Sequence, residues 1–268
     1  MMNQFCELTG TSITTAGRYL ESGNYDIARA VDLYYSKHPG EKHDSVDPKL
    51  VAIFDSYKDS NNPDIIDIDG TIRYLEDLKI DPDDPKSLTL AFLLKAPKVG
   101  EFQRDSFINS WQFYNITSLK EMSQFVANFH RDILQGVNLK DIDGEPVTFK
   151  RLYNFTFRFL LEAENQKVLD VALAVSYWQL LLPLVPGFPN GNESLRSKIN
   201  ERISNWFDYL NAKPKKVISF DTWSMFLPFF QEVIITDPYK LSNYDEMAAW
   251  PSKIDEYVEY LYDNNFLS

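Results

Sequence analysis

From Leu50 onward the apolar residues recur every three or four positions, and apart from short pieces such as Ile66 to Ile68 the chain never alternates in the manner of a strand. A chain patterned this way buries its apolar side chains by packing helix against helix. Leu50, Ile53, Phe54 and Tyr57 form one stripe, Leu75 and Leu78 belong to the next helix, and Leu88 to Lys95 reads as a buried helix. Further helices are predicted over Ser118 to Leu134, Phe149 to Leu161, Leu169 to Leu182, Ser194 to Leu210, Thr222 to Ile235 and Pro251 to Tyr262. With 268 residues the chain is long enough to bury a substantial core. That core is expected to be aromatic, because Phe, Trp and Tyr make up 15% of a sequence that is 44% hydrophobic.

The first 36 residues read as a separate unit of three short helices: one through Phe5 and Leu8, one from Thr14 to Glu21 and one from Tyr25 to Ser36. Thr9-Gly10 and Gly23-Asn24 supply the breaks. Ile27, Ala30, Val31, Tyr34 and Tyr35 give the third helix its apolar stripe. Residues 37 to 47 carry Pro, Gly and charges without periodicity, as a linker does. The predicted organisation is therefore a small module over 1–36, a linker over 37–47 and an all-α domain over 48–268.

The formal net charge of −12 repels phosphate backbones and anionic lipid. Neither nucleic acid nor a membrane is an expected partner; a basic protein surface is the natural complement. Cys6, the single cysteine, rules out an internal disulfide and a thiolate metal cluster, and it reads as a core residue of the small module. Met1 to Leu8 has no signal-peptide pattern, and the apolar stretch Val168 to Val185 is interrupted by Asp170, Gln179 and Pro183, so a soluble intracellular protein is expected.

Two segments imitate calcium loops. Asp67-Ile68-Asp69-Gly70, followed by Glu76, places acids, glycine and a distal glutamate in EF-hand register, but Ile65 stands where the first ligand belongs. Asp141-Ile142-Asp143-Gly144 has Leu139 first and Lys150 last, a cation in place of the bidentate ligand. Both read as helix-loop-helix geometry without metal, and no cofactor is expected. His38, His43 and His130 are scattered, and the signatures of serine hydrolases, phosphate loops and zinc proteases are absent. The basic run Lys213-Pro214-Lys215-Lys216 reads as a solvated loop. Asn243 to Tyr260 is the densest functional candidate. Pro251 is predicted in the first turn of a helix whose Ile254, Val258 and Leu261 form one face, while Asp255 and Glu259 lie one turn apart on the other. Like charges at that spacing cost a few tenths of a kcal/mol, so either they merely solvate a terminal helix or they meet a partner.

Four segments in order, Asp69-Gly70 with Leu78 and Asp81-Pro82, then Tyr153 to Phe159, then Tyr177-Trp178-Gln179-Leu180, then Asp221-Thr222-Trp223 with Asn243 to Glu246 and Ala249 to Glu256, resemble the defective-in-cullin-neddylation family. The N-terminal unit resembles a ubiquitin-associated domain, with Leu8-Thr9-Gly10 where that family has its first loop, although the loop departs from the usual Met-Gly-Phe or Met-Gly-Tyr pattern.

The resemblance implies a scaffold-type ligase component, located in cytoplasm and nucleus, with no catalytic nucleophile of its own. It would promote transfer of the Nedd/Rub-type modifier from its E2 to a cullin lysine, alongside the RING protein of the cullin ligase. The family's Asp, Ala, Asp patch for the winged-helix domain at the cullin C-terminus matches Asp221, Ala249 and Asp255. The family's apolar pocket for the N-acetylated methionine of the E2 matches Ile68, Leu90, Ala91, Leu94, Phe102, Phe159 and Leu180, while Thr71, Ser87 and Gly100 depart from the larger or more apolar residues expected there. Acetylation removes the amine charge, so that the methionine can enter an apolar cavity once its amide is partnered. Leu8 and Thr9 would contact ubiquitin or its relative. Alternative readings are a ubiquitin-binding adaptor without a direct role in transfer, and a calcium-responsive EF-hand protein.

Overall fold

The computed structural model describes residues 1–38, 46–163 and 165–267. Most of the expected linker over 37–47 lies outside the described residues. The chain divides into two compact units, Met1–Arg131 with Lys140–Pro146, and Asp132–Leu139 with Val147–Ser268.

The first unit opens with α1 (Met2–Thr9), α2 (Ile13–Ser22) and α3 (Ile27–Lys37). Ser12 caps α2 by accepting the Thr15 amide and Asp26 caps α3 by accepting that of Arg29. The third helix starts at Ile27 and not at Tyr25, because Asn24 and Tyr25 take left-handed backbone (φ 55° and 57°) that no α-helix accommodates. Phe5, Ala16, Leu20, Ala30 and Tyr34 form a small core, and Cys6 packs against it half-buried.

Four helices follow in that unit: α4 (Pro48–Tyr57), α5 (Ile68–Asp77), α6 (Pro85–Leu93) and α7 (Arg104–Phe113). Asp47 and Asp84 cap α4 and α6, each directly ahead of a proline whose missing N–H costs nothing in a first turn. The strands β1 (Ile65–Ile66) and β2 (Phe102–Gln103) pair antiparallel, Ile65 opposite Gln103 and Ile66 opposite Phe102. They join the α4–α5 and α6–α7 loops into a paired helix-loop-helix. Phe54, Phe107, Tyr74 and Trp111 make the core, with Phe107 centred 5.4 Å from both Phe54 and Tyr74. After α7 comes α8 (Leu119–Leu134).

This arrangement corrects the register of the calcium-loop reading. Asp67 is the N-cap of α5, accepting the Gly70 amide at 2.9 Å, and Asp69 and Gly70 lie inside the helix. Gly70 is required by close approach, since a Cβ there would meet the Tyr57 carbonyl oxygen at 2.0 Å. The loop that pairs across the unit precedes Asp67. Asp141 spends its carboxylate on the Asp143 and Glu145 amides, and Asp143 on Lys95 at 2.5 Å. Among the described residues no cluster of His, Cys, Asp or Glu is arranged to hold a metal ion.

The second unit repeats the plan. It contains α9 (Phe149–Phe159), α10 (Val171–Leu181), α11 (Glu193–Ala212), α12 (Phe220–Phe229) and α13 (Ser252–Asp263). The strands β5 (Val168–Asp170) and β6 (Val217–Ser219) pair antiparallel and tie the α9–α10 loop to the α11–α12 loop. The strands β3 (Leu139–Lys140) and β4 (Pro146–Val147), which lie in sequence between α8 and α9, pair with each other. The predicted helix over Thr222 to Ile235 is two pieces: after Pro228 the backbone widens into a π-helical segment over Phe230–Ile234. The core is a run of aromatic rings. Trp178 stacks on Trp223 at 4.9 Å, Trp223 on Tyr153 at 4.8 Å and Trp206 on Phe226 at 4.6 Å. Ile254, Tyr257, Val258 and Leu261 seat α13 on this core, as the apolar stripe of that helix predicts.

Candidate functional site

The acidic aromatic corner is built from α12, α13 and the turn between them. Pro251 precedes α13 as its N-cap and is extended (φ −58°, ψ 139°), so the helix begins one residue later than predicted. The turn before it is held from both ends. Asp245 accepts the Met247 amide through Oδ1 at 2.9 Å, and its carbonyl accepts the Trp250 indole N–H at 3.1 Å and the Ala248 amide. The Trp250 ring packs edge-on against Phe229 of α12, with centroids 5.6 Å apart. Phe229 thereby anchors the turn to the core, while Met247, Ala248 and Ala249 remain exposed.

Four acids of α13 and α12 differ in what they are already bound to. Glu256 accepts the Tyr209 hydroxyl at 2.9 Å and pairs with Lys213 at 2.7 Å, which together hold its carboxyl below the usual range. It is neutralised within the unit. Asp255 accepts the Tyr244 hydroxyl at 2.7 Å, and burial together with that anionic neighbour pushes the phenol well above its ordinary range. Among the described residues Asp255 has no cationic partner within salt-bridge distance, and neither has Glu259 or Asp221. Asp221 is exposed in the first turn of α12, next to its cap Ser219. It lies eight residues before Phe229, which is about 12 Å along a helix axis. Asp221, Ala249 and Asp255 thus sit on elements that meet at Phe229, which packs against Trp250 and Tyr257, with Asp221 at the other end of α12.

The residues matched to an apolar pocket fall in both units. In the first, Leu90, Ala91, Leu94 and Phe102 are buried, whereas Ile68 leaves 52% of its surface exposed at the start of α5. Two departures there have local reasons. Gly100 has φ 73°, and a Cβ would lie 2.4 Å from Ile68 Cδ1, so only glycine lets Ile68 lie against that loop. Ser87 uses its hydroxyl to cap the Pro82 carbonyl at 2.9 Å. Thr71 buries its hydroxyl with no hydrogen-bond partner among the described residues. In the second unit Phe159 is buried and Leu180 half-buried.

Leu8 and Thr9 differ in exposure. Leu8 is 46% exposed, whereas Thr9 is 6% exposed, with its hydroxyl donated to the Phe5 carbonyl at 2.7 Å and 3.0 Å from that of Thr11. The turn after them packs inward: a Cβ on Gly10 would meet Val46 Cγ2 at 2.3 Å. Val46 and Ile108, which a Cβ on Gly10 would meet, come from elsewhere in the unit, so the packing of this turn could not be read from local pattern.

The fold and the corner define a predominantly helical protein that joins a small three-helix module to a helical domain carrying an acidic, aromatic corner. Family models agree, a UBA-like domain matching residues 1–41 and a cullin-binding domain matching residues 130–260. "Defective in cullin neddylation protein 1" of Candida albicans is 47% identical over 100% of this chain and 98% of its own length. The proteins so named in Yarrowia lipolytica and Saccharomyces cerevisiae are 32% and 28% identical, over 94% and 98% of this chain and 92% and 93% of their own lengths. The chain belongs to the defective-in-cullin-neddylation family. Among the described residues no helix is long and apolar enough to cross a membrane.

Proposed function

We propose that this protein promotes cullin neddylation as a non-covalent scaffold, without a catalytic nucleophile of its own. It grips the winged-helix domain of a cullin through Asp221, Ala249 and Asp255. The observation that carries this reading is the division of labour on α13: Glu256 is neutralised by Lys213, while Asp255, one residue away, is oriented by Tyr244 and lacks a counter-ion. A carboxylate held in place and left uncompensated suits a basic partner, and the family model for cullin binding spans all three residues.

The second grip is on the N-acetylated methionine of the E2, for which the family resemblance matches Ile68, Leu90, Ala91, Leu94 and Phe102 of the first unit and Phe159 and Leu180 of the second. Support comes from Ile68, which stays 52% exposed at the start of α5, and from the buried Thr71 hydroxyl of the same helix, which has no partner among the described residues and is able to serve the amide of an acetylated terminus. Holding cullin and E2 together raises the effective concentration of the thioester at the acceptor lysine, while the RING protein orients it. Rate rises without new chemistry. The working compartments are cytoplasm and nucleus.

Calorimetric titration of the full chain with a cullin C-terminal domain tests the first grip. Saturable binding is expected, weakened at least about tenfold by Asp255→Lys, which sets like charges across the contact. Unchanged affinity in that variant removes the acidic patch from the interface. A parallel titration with E2 N-terminal peptides expects binding only of the acetylated form. Capture by immobilised ubiquitin with no cullin binding would favour the ubiquitin-adaptor reading.

A further inference from the structure

Met247 is 86% exposed, more than any other large apolar residue described as exposed in this protein. It is also not on a frayed segment. Its amide is bonded to Asp245 Oδ1, the next residue's amide to the Asp245 carbonyl, and the turn is pinned by Trp250 against Phe229. The backbone beneath Met247 is therefore fixed while its thioether side chain stands in water. Exposed Ala248 and Ala249 follow it in the turn, exposed Asp245 and Glu246 precede it, and Asp255 lies in the first turn of α13 just beyond.

An apolar side chain held outward from a rigid turn and flanked in sequence by acids has the anatomy of an interface anchor: a centre that is desolvated on binding inside a polar rim. Methionine suits the role, since its unbranched, polarisable side chain adapts to an irregular cavity. The turn that carries Met247 also carries Ala249, and its Tyr244 orients Asp255 by a 2.7 Å hydrogen bond.

We propose that Met247 is a determinant of partner affinity and selectivity in the cullin contact, inserting into an apolar notch on a cullin surface whose rim is basic. This rests on the assignment of Asp221, Ala249 and Asp255 to that contact. The acids steer the encounter and Met247 sets how long the complex lasts, because rim charges act mainly on association and a buried apolar anchor on dissociation.

The test is surface-plasmon-resonance kinetics of the full chain against a cullin C-terminal domain, for the unaltered protein and for Met247→Ser, Met247→Leu and Asp255→Lys. Met247→Ser is expected to raise the dissociation rate about tenfold or more, the order expected for losing a buried Met side chain, and to leave the salt dependence of association unchanged. Met247→Leu is expected to stay within about threefold of the unaltered protein, as a volume-conserving swap should. Neither variant should shift the melting temperature, since the side chain packs on nothing within the fold. If Asp255→Lys abolishes binding while Met247→Ser dissociates normally, the anchor is refuted and the acidic patch survives. Equal losses in the Ser and Leu variants refute an apolar notch. Unchanged binding in Asp255→Lys removes the patch and the anchor together.

Discussion

Removing one oxygen atom from the centre of the second unit should expose how tightly the α12 end of the candidate site is held. The Tyr153 phenol is fully buried, and that burial drives its ionisation far above the ordinary range. It donates to the Trp223 carbonyl at 2.9 Å and accepts the Trp178 indole N–H at 2.6 Å, while its own carbonyl accepts the Trp223 indole N–H at 3.0 Å. Tyr153→Phe keeps the ring stacked on Trp223 and the backbone bond, so the apolar burial is conserved. Two hydrogen bonds go. A buried indole N–H left without a partner costs about 1–3 kcal/mol, and losing the bond to the carbonyl costs about 1 kcal/mol more, for a total of about 2–4 kcal/mol. Urea denaturation followed by tryptophan fluorescence reads this unit directly, because Trp178, Trp206 and Trp223 all lie in it. A cycle with Trp178→Phe should return most of the loss as coupling, since the second change removes the orphaned donor. A loss below about 0.5 kcal/mol with unaltered circular dichroism would refute the reasoning and show that the site relaxes to satisfy Trp178 by another route.

Three further outcomes follow from the same kind of reasoning. Burial and the nearby Asp64 carboxylate push Asp105 up to about 6 against 3.8 unperturbed, outweighing the hydrogen bond it accepts from Thr15, so its contribution to stability is complete below about pH 4 and lost as pH rises through about 6. Relative to Asp105→Asn, the unaltered protein should gain about 1.4 kcal/mol between pH 7.5 and 5 in urea titrations, and parallel pH profiles of the two proteins would refute this. Arg202 is 0% exposed and donates to the Pro238 carbonyl, Asn205 and the Phe266 carbonyl at 2.8, 2.8 and 2.6 Å. Arg202→Met should cost about 3–5 kcal/mol and speed hydrogen exchange around Phe266, whereas a loss under about 1 kcal/mol would show that the guanidinium is dispensable. Calcium at about 1 mM should move the melting temperature by less than about 1 °C, because Asp67 and Asp141 already serve backbone amides; a rise of several degrees in calorimetry would refute that assignment.

The positions of the helices were legible wherever the signal was local. The stripe Ile254, Val258, Leu261 acts within two turns of chain, and α13 stands within a residue of where it is predicted, whereas α6 starts three residues earlier than predicted, behind its cap Asp84, and α7, whose apolar stripe is weak, is not predicted. The strands were not legible. Val168–Asp170 and Val217–Ser219 are too short to display a period of two, and each is a strand only because the other pairs with it from some fifty residues away. The break after Pro228 escaped for a related reason: the apolar spacing continues through Phe230 to Ile234 while the backbone that carries it widens.

The sequence by itself determined that this chain is helical, acidic and built in a small module and a larger helical part, because apolar spacing, capping residues and net charge are properties of neighbouring residues or of the sum. It also marked the stretch from Asn243 to Tyr260 as a docking candidate. Only the tertiary structure decided which groups in that stretch are available to a partner. Asp255 and Glu256 are equivalent acids one residue apart in sequence, yet Lys213 and Tyr209 come from another helix to satisfy Glu256, and Tyr244 orients Asp255 without neutralising it. Ile68 and Leu90 are both apolar residues of capped helices, but one is half exposed and the other buried. Availability depends on which surfaces the rest of the chain covers, and that is set by packing between segments far apart in sequence, where local pattern carries no information.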